Sequence, residues 1–553
     1  DAPGSRSRRD DGAGMIPRLL SLVSGLGFLS GLGFPVLLGG CAFMPEGRER
    51  AEFLDPPPMN SALPKAIAQP NAAPGAGWPI DHWWEQLKSP DLNRIVEVAL
   101  NDNPGLRKAY ARLGEANAAS QVEGARLLPW LDADNTLRTV RYAKHGVVAT
   151  YNPALGGTYH SSDTFNFASF RYEFDFWGKN RAALDAALGE AAAQEAEFAE
   201  ARLLLTTAIA RAYIRGVLLT QELRLIQETA KVARGLLDVA RTRFQTGLGP
   251  ADAVMQATLD LEIVAKAEAN TRQLVTVQED SLARLMGQGP DATKDLFARK
   301  MIRIPARIEL PPHLPIELLA HRPDLASAMH RAEAAAERIH VAKAQFLPSV
   351  DLSTATAGLE AAVLTKNFGH LASLLFRGSD LNFAVAPGFH LPLFEGGRLR
   401  GQLSAMRSQY DEAVELYNDT LLHSVQEIAD ALSSWKQTGV ALKAQGDLLR
   451  ASRGEVKLTQ ERARSGLVDR REILAVQRGL LDQLVVLKTS EADHLLAAID
   501  IIQALGGGYW NGIEASRPQL APEASFSGLE ALAPAWSLEK LAAPLMPFVQ
   551  SSE

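Results

Sequence analysis

The chain repeats itself. Under one constant offset, the step from Pro104 to Pro323, it matches its own second half without a gap over long tracts. Pro104, Leu106, Ala109, Arg112 and Ala116 meet Pro323, Leu325, Ala328, Arg331 and Ala335. Val122, Ala125, Leu128, Pro129 and Asp132 meet Val341, Ala344, Leu347, Pro348 and Asp351. Further on, Gly178 and Arg181 meet Gly397 and Arg400, and Arg243, Gly247 and Leu248 meet Arg462, Gly466 and Leu467. Composition does not produce one offset that survives from Pro104 to Leu248. The fold is therefore two copies of one unit in parallel order.

Each unit reads alike. A helix is predicted from Asp91 to Leu128 and again from Pro323 to Leu347, each stopped by proline. Two strands follow, at 130–142 and 164–177 in the first copy and at 349–358 and 380–393 in the second. Long helices are predicted over 178–246 and 397–465, each about 100 Å at 1.5 Å per residue. Glycine turns end them, and return helices cover 251–287 and 471–505. The first repeat so defined spans 78–287 and the second 318–508, with 288–317 between them and 509–553 as a tail.

Helices this long need a partner along their length. Leu184, Ala191, Phe198, Leu205, Ala212, Leu219, Ile226, Ala233 and Ala240 recur every seventh residue. Val414, Leu421, Ile428, Trp435, Leu442, Leu449, Val456 and Ala463 do the same. A sustained heptad means supercoiled helices. In the strands the period changes to two: Ala168, Phe170, Tyr172, Phe174 and Phe176 alternate with Ser169, Arg171, Glu173 and Asp175. Such strands suit a half-buried sheet or a membrane barrel. Four strands cannot close a barrel alone, and an open edge in lipid is prohibitive. In a membrane several copies must share one barrel. Eight strands from two copies fill with side chains, whereas twelve from three leave a lumen.

The N-terminal region reads as an export signal. An over-extended start or a long leader accounts for residues 1–14, ahead of Met15. Arg18 is then the only charge before an apolar run that ends Leu38-Gly39-Gly40-Cys41. Small residues before the single cysteine resemble a bacterial lipobox. That resemblance implies cleavage before Cys41 and a lipid on it, and Ala42 implies sorting to the outer membrane. The alternative is a membrane-spanning helix, since the run is long enough. Residues 41–77, rich in Pro and Ala, read as a tether.

Several classes lose support. Net charge is −7, which offers no attraction to nucleic acid. One cysteine excludes an internal disulfide and a CxxC zinc site. No HExxH, GxGxxG, Walker loop or GxSxG stands at a usable position. The histidines show no metal-ligand spacing.

From Trp78 to Tyr509 the chain resembles the TolC-like outer-membrane factors, above all their lipid-anchored, NodT-like drug-efflux branch. The motifs are Trp83-Trp84, Pro90-Asp91-Leu92, Asn103-Pro104 and Tyr172-Glu173-Phe174-Asp175-Phe176-Trp177-Gly178. They continue with Leu319-Ala320-His321-Arg322-Pro323-Asp324, Phe346-Leu347-Pro348-Ser349, Leu393-Phe394-Glu395-Gly396-Gly397-Arg398 and Ala504-Leu505-Gly506-Gly507-Gly508. The resemblance implies an α+β membrane protein. It would be a homotrimer sharing a twelve-stranded β-barrel, four strands per chain, on a long α-helical coiled-coil barrel. It implies passive export of small toxic compounds across the outer membrane of a Gram-negative bacterium. The partners would be a periplasmic adaptor (membrane fusion) protein, an inner-membrane pump of RND type and outer-membrane lipid. No enzyme activity and no cofactor beyond the lipid on Cys41 are expected. Export of metal ions or proteins, and a non-transporting coiled-coil lipoprotein, are the alternatives.

In the family the glycine turns mark the periplasmic tip, and carboxylates after the second turn ring a constriction. The second turn reads Gly466-Leu467-Val468-Asp469-Arg470-Arg471-Glu472, which sets Glu472 on the first family carboxylate. Ala475 stands at the second, so a double acidic ring is not expected. The first turn, Gly247-Leu248-Gly249-Pro250-Ala251-Asp252, reads as one residue shorter, which would align Asp252 with Glu472. Both carboxylates could instead serve the start of the following helix. Arg470 and Arg471 are candidates for pairing with a neighbouring subunit or the adaptor. The turn residues Gly247, Leu248, Gly466 and Leu467 are candidates for adaptor contact.

Overall fold

The computed structural model describes residues 44–45, 50–57, 81–297, 322–366, 371–375 and 381–509. The lipobox with Cys41, most of the tether, most of 288–317 and the tail beyond 509 lie outside the described residues. The principal elements are α1 (Pro90–Asp102), α2 (Pro104–Ala125), β1 (Trp130–Arg141), β2 (Tyr159–Phe174), α3 (Lys179–Gln245) and α4 (Ala251–Leu285). The second repeat supplies α5 (Pro323–Ala344), β3 (Ser349–Val363), β4 (Leu381–His390), α6 (Arg398–Arg464) and α7 (Arg470–Ala504). The offset that carries Pro104 onto Pro323 also carries both ends of α2, α3 and α4 onto those of α5, α6 and α7. The duplication is therefore structural as well as textual.

Both long helices are 67 residues, and both return helices 35. No residue of either main heptad series is exposed: each is buried or half-buried. In the upper half α3 lies between α2 and α5, and α5 also packs on α6. In the lower half the order is α4, α3, α7, α6.

One expected helix is two. Asn103-Pro104 divides the first predicted helix into α1 and α2. Pro104 has no N–H to continue the ladder. Asn103 adopts an extended backbone, its Oδ1 accepts from Leu106 N–H at 3.0 Å, and its Nδ2 donates to the Leu285 carbonyl at 2.7 Å. α1 folds into a belt around the middle of α3. There Trp83, Leu92, Ile95, Ile209, Tyr213 and Phe297 share one apolar core. Ser89 caps α1 through Leu92 N–H and donates to Tyr213 Oη at 2.9 Å.

The four strands form one antiparallel sheet in the order β1-β2-β3-β4. Its centre joins the repeats, since β2 pairs with β3. β2 starts at Tyr159, five residues before expectation, and β3 runs on to Val363. The β2 extension, Tyr159-His160-Ser161-Ser162-Asp163, is mostly polar and lacks the period-two pattern, whereas in the β3 extension Leu359, Ala361 and Val363 continue the alternation past the predicted end. One cross-strand row is Leu131, Phe170, Ala355, Val385, and another row on that face is Phe174, Val350, Phe389. Asp132, Ser169, Thr356 and Ala384 form a row on the opposite face. The apolar face is bare where it is most hydrophobic: Phe383 is 77% and Val385 69% exposed.

The strand-to-helix joints explain two motifs. Gly178 has φ +70°, and Asp175 accepts from Asn180 and Arg181 N–H at 3.0 and 2.9 Å. That carboxylate satisfies two donors at the positive end of α3. At α6, Gly396 and Gly397 both take positive φ, a turn that disfavours any other residue.

Gly216 of α3 lies beneath the Phe297 ring, and a Cβ there would stand 2.2 Å from Cζ. Gly216→Ala is expected to destabilise the belt by about 1–3 kcal/mol through overpacking. Phe297→Ala should remove most of that penalty. Thermal unfolding in detergent checks both.

Candidate functional site

The tip of the helical hairpins is built twice. At the first turn Gly247 takes φ +73°, its N–H bonds to the Phe244 carbonyl at 3.0 Å, and Leu248 N–H bonds to Arg243 at 2.7 Å. At the second Gly466 takes φ +73°, its N–H bonds to Ala463 at 3.0 Å, and Leu467 N–H bonds to Arg462 at 2.9 Å. Both are Schellman closures, which need a left-handed residue and so favour glycine. They leave Leu248 and Leu467 71% and 73% exposed at the end of the molecule.

The turns are of equal length. Pro250 precedes α4 as its N-cap, and Asp469 precedes α7 in the same role at the repeat offset. The expected alignment of Asp252 with Glu472 is therefore wrong. Asp252 corresponds to Arg471, and Glu472 corresponds to Ala253. Matching carboxylate to carboxylate inserted a gap that the helix starts do not have.

Asp469 is the residue that caps. Its Oδ1 accepts from Glu472 N–H at 3.1 Å, and its Oδ2 accepts from Arg243 Nη1 at 3.1 Å. Arg243 also reaches the Leu248 carbonyl at 3.4 Å. One guanidinium thus joins the two hairpin tips of a chain. A second tie follows where Arg478 Nη1 meets Asp260 Oδ2 at 3.2 Å. Arg243 was visible in the sequence only as a match to Arg462, and neither tie has a local signature. Asp252, Arg470, Arg471 and Glu472 are all exposed. Among the described residues, the side chains of Arg470, Arg471 and Glu472 have no hydrogen-bond or ion-pair partner.

At the other end of the helices the polar face of the sheet opens a groove of about 940 Å³. Asp134, Asn166, Ser169, Arg171, Glu173 and Asp351 are among the residues that line it. Asp134 accepts from Ser169 Oγ at 2.8 Å and from Asn166 Nδ2 at 3.1 Å. Leu128, Trp130, Phe170, Tyr172 and Leu352 line the same groove, so its wall is as apolar as it is polar.

Between tip and sheet lies a buried charge cluster. Arg322, 7% exposed, donates to Asp324, to Glu427 Oε2 at 2.7 Å and to the Ala504 carbonyl at 2.6 Å. It ties the start of α5, the end of α7 and the middle of α6. Glu200 of α3 faces the same group. Burial, then the Asp324 and Glu427 carboxylates, push Glu200 up to about 7 against the opposing pull of Arg322. His423 stands 3.3 Å from Glu427 on the outer side. Among the described residues no group of three or more His, Cys, Asp or Glu is arranged to hold a metal ion.

The profile of the family described as "Outer membrane efflux protein" matches residues 95–288 and 314–507, most of the chain. The chain belongs to this family. The two matches are themselves separated by the repeat offset. Similar proteins include the multidrug resistance outer membrane protein MdtP of Shigella flexneri, 29% identical, over 86% of this chain and 95% of the relative. The fusaric acid resistance protein FusA of Burkholderia cepacia is 30% identical, over 68% of each. The crystal structure of the outer membrane protein VceC of Vibrio cholerae aligns with a TM-score of 0.68 and 31% identity. It covers 78% of this chain and all of that one. The protein is an outer-membrane efflux channel component that extends into the periplasm, and the sheet and tunnel helices are its membrane and periplasmic parts.

Glu200 supplies a pH test. A carboxyl whose folded value is raised binds its proton more tightly in the native state, so stability falls as pH rises from about 4.5 to about 7. Glu200→Gln should stabilise the protein at pH 8, by up to about 3 kcal/mol, and change little at pH 4. Melting temperatures of both proteins across this range check the sign.

Proposed function

We propose that three copies of the chain close one twelve-stranded barrel and one tunnel, and that small toxic compounds leave the cell through it. The observation that carries this reading is the sheet with two unpaired edges above 67-residue helices. β1 and β4 run in opposite directions, so β4 of one copy can pair antiparallel with β1 of the next. Closure of that kind removes every open edge from the hydrocarbon. The names of MdtP and FusA, resistance proteins both, support toxic small molecules as cargo. Export is passive, without enzyme chemistry or a cofactor. Energy comes from an inner-membrane pump of RND type, joined through a periplasmic adaptor that docks on Gly247, Leu248, Gly466 and Leu467.

The lipid on Cys41 belongs to the same reading. Pro45 and Leu54 both lie against α6: the Pro45 carbonyl accepts from Arg407 at 3.0 Å, and Leu54 N–H donates to Asn418 Oδ1 at 2.9 Å. Arg407 lies nine residues below the start of α6, about 14 Å. The four residues from Cys41 to Pro45 can reach back about 14 Å. That reach supports a lipid at the level of the membrane. Cys41→Ser is expected to abolish labelling by palmitate, and retained labelling would remove the anchor from the account.

At the tip, three Glu472 carboxylates gather near the axis, where low-dielectric walls focus their field. Asp252 and the basic pair Arg470 and Arg471 stand around them. Glu472→Ala should lower cation selectivity and block by multivalent cations in planar bilayers. If Glu472 serves only the start of α7, the variant keeps its selectivity and loses about 0.3–1 kcal/mol of stability.

A further inference from the structure

The equal offset of every tunnel element has a consequence for the neighbouring copy. In the closed trimer proposed above, each helix pairing of the first repeat with the second within a chain would have a counterpart between the second repeat of one chain and the first repeat of the next. Within the chain α7 packs on α3. Its counterpart is α4 of one copy on α6 of another.

At the intrachain seam Leu474 of α7 sits over Gly235 of α3, where an added Cβ would stand 3.2 Å from Leu474 Cδ1. Moved by the repeat offset, these positions are Met255 and Gly454. The hole is again a glycine, and a Cβ at Gly454 would meet nothing within 4 Å. The knob is again long and apolar, and Met255 is 70% exposed. One turn on, the ion pair of Asp260 with Arg478 maps to Gly479 and Leu259. Gly479 is open in the same way, and Leu259 is 58% exposed. Higher up, Arg211 of α3 bonds Asp500 of α7 at 2.6 Å. Asp430 takes the place of Arg211, and the exposed Arg284 lies one turn from the counterpart of Asp500. The signs reverse and complementarity is kept.

We propose that these residues form the seam between protomers: Met255 of one copy seats over Gly454 of the next, and Leu259 beside Gly479. The partner is a second copy of this chain, and the inference rests on the closed trimer proposed above. The two kinds of seam then differ near the tip. Within a chain they are tied by Arg243–Asp469 and Arg478–Asp260. Between chains the counterparts are Arg462 with Pro250 and Gly479 with Leu259, which hold no ion pair. The seam between copies closes by shape.

Cysteine pairs test the register. The native mass of each detergent-extracted variant is measured first and should equal three chains. Met255→Cys with Gly454→Cys, treated with a short bis-methanethiosulfonate cross-linker, should give covalent dimers and trimers on a denaturing gel. Leu259→Cys with Gly479→Cys should do the same. Gly235→Cys with Leu474→Cys should link within one chain and leave the monomer band, and the wild type with Cys41 alone sets the background. Pairing Met255→Cys with Arg450→Cys or Leu458→Cys shifts the register by one turn and should link at least tenfold more slowly. A three-chain mass with no dimers from either seam pair, while 235–474 links, overturns the seam alone. Equal linking of a shifted pair overturns the register. A single-chain mass overturns the trimer and the seam with it.

Discussion

Backbone groups in hydrocarbon have no water to bond. That constraint governs this molecule more than any side chain does. A four-stranded sheet leaves two rows of N–H and C=O groups unpaired. In a soluble protein such edges are a hazard, and in a membrane they are untenable. The chain meets the constraint through duplication: each repeat contributes two strands, β2 pairs with β3 across the repeat boundary, and the free edges left over are complementary in direction. The helices inherit this geometry. Each strand pair leads directly into a long helix through a glycine joint, so a ring of strands above becomes a ring of helices below.

Polar chemistry is spent at three levels along the helices. The Arg322 cluster joins three helices at the belt, with a carboxylate, Glu200, that burial holds near neutrality. The Arg243–Asp469 tie joins the hairpin tips. The joint from β2 to α3 uses Asp175 as a helix cap. Arg322 and Asp175 fall inside motifs on which the family resemblance rests. Each satisfies backbone groups that a helix end would leave bare.

Much of the architecture was legible in the sequence, for local reasons. Gly247 and Gly466 require a left-handed backbone, so they mark the helix ends to within two residues. Alanines and leucines at heptad spacing mark the inward face, and none of the main series is exposed. What escaped is tertiary or chemically ambiguous. The break at Asn103-Pro104 was written plainly, yet the helical pattern on either side concealed it. The belt around Phe297 and Gly216 joins residues some eighty positions apart. At the tip, chemical similarity between Asp252 and Glu472 outweighed the simpler evidence of a constant offset. Cys41 stands outside the described residues, and its lipid is a reading of the signal sequence together with the reach of Pro45 from α6.

The matched lengths of the two repeats act as a ruler with two identical arms. Sixty-seven residues in α3 must end level with sixty-seven in α6, because Arg243 on one hairpin reaches Asp469 on the other. A deletion in one arm alone would leave one tip stranded about 1.5 Å higher for each residue lost and turned about 100° out of phase. Change in the depth of the tunnel is therefore confined to paired, heptad-sized steps in both repeats, and in both legs of each hairpin. The duplication that built the channel also restricts how evolution can resize it.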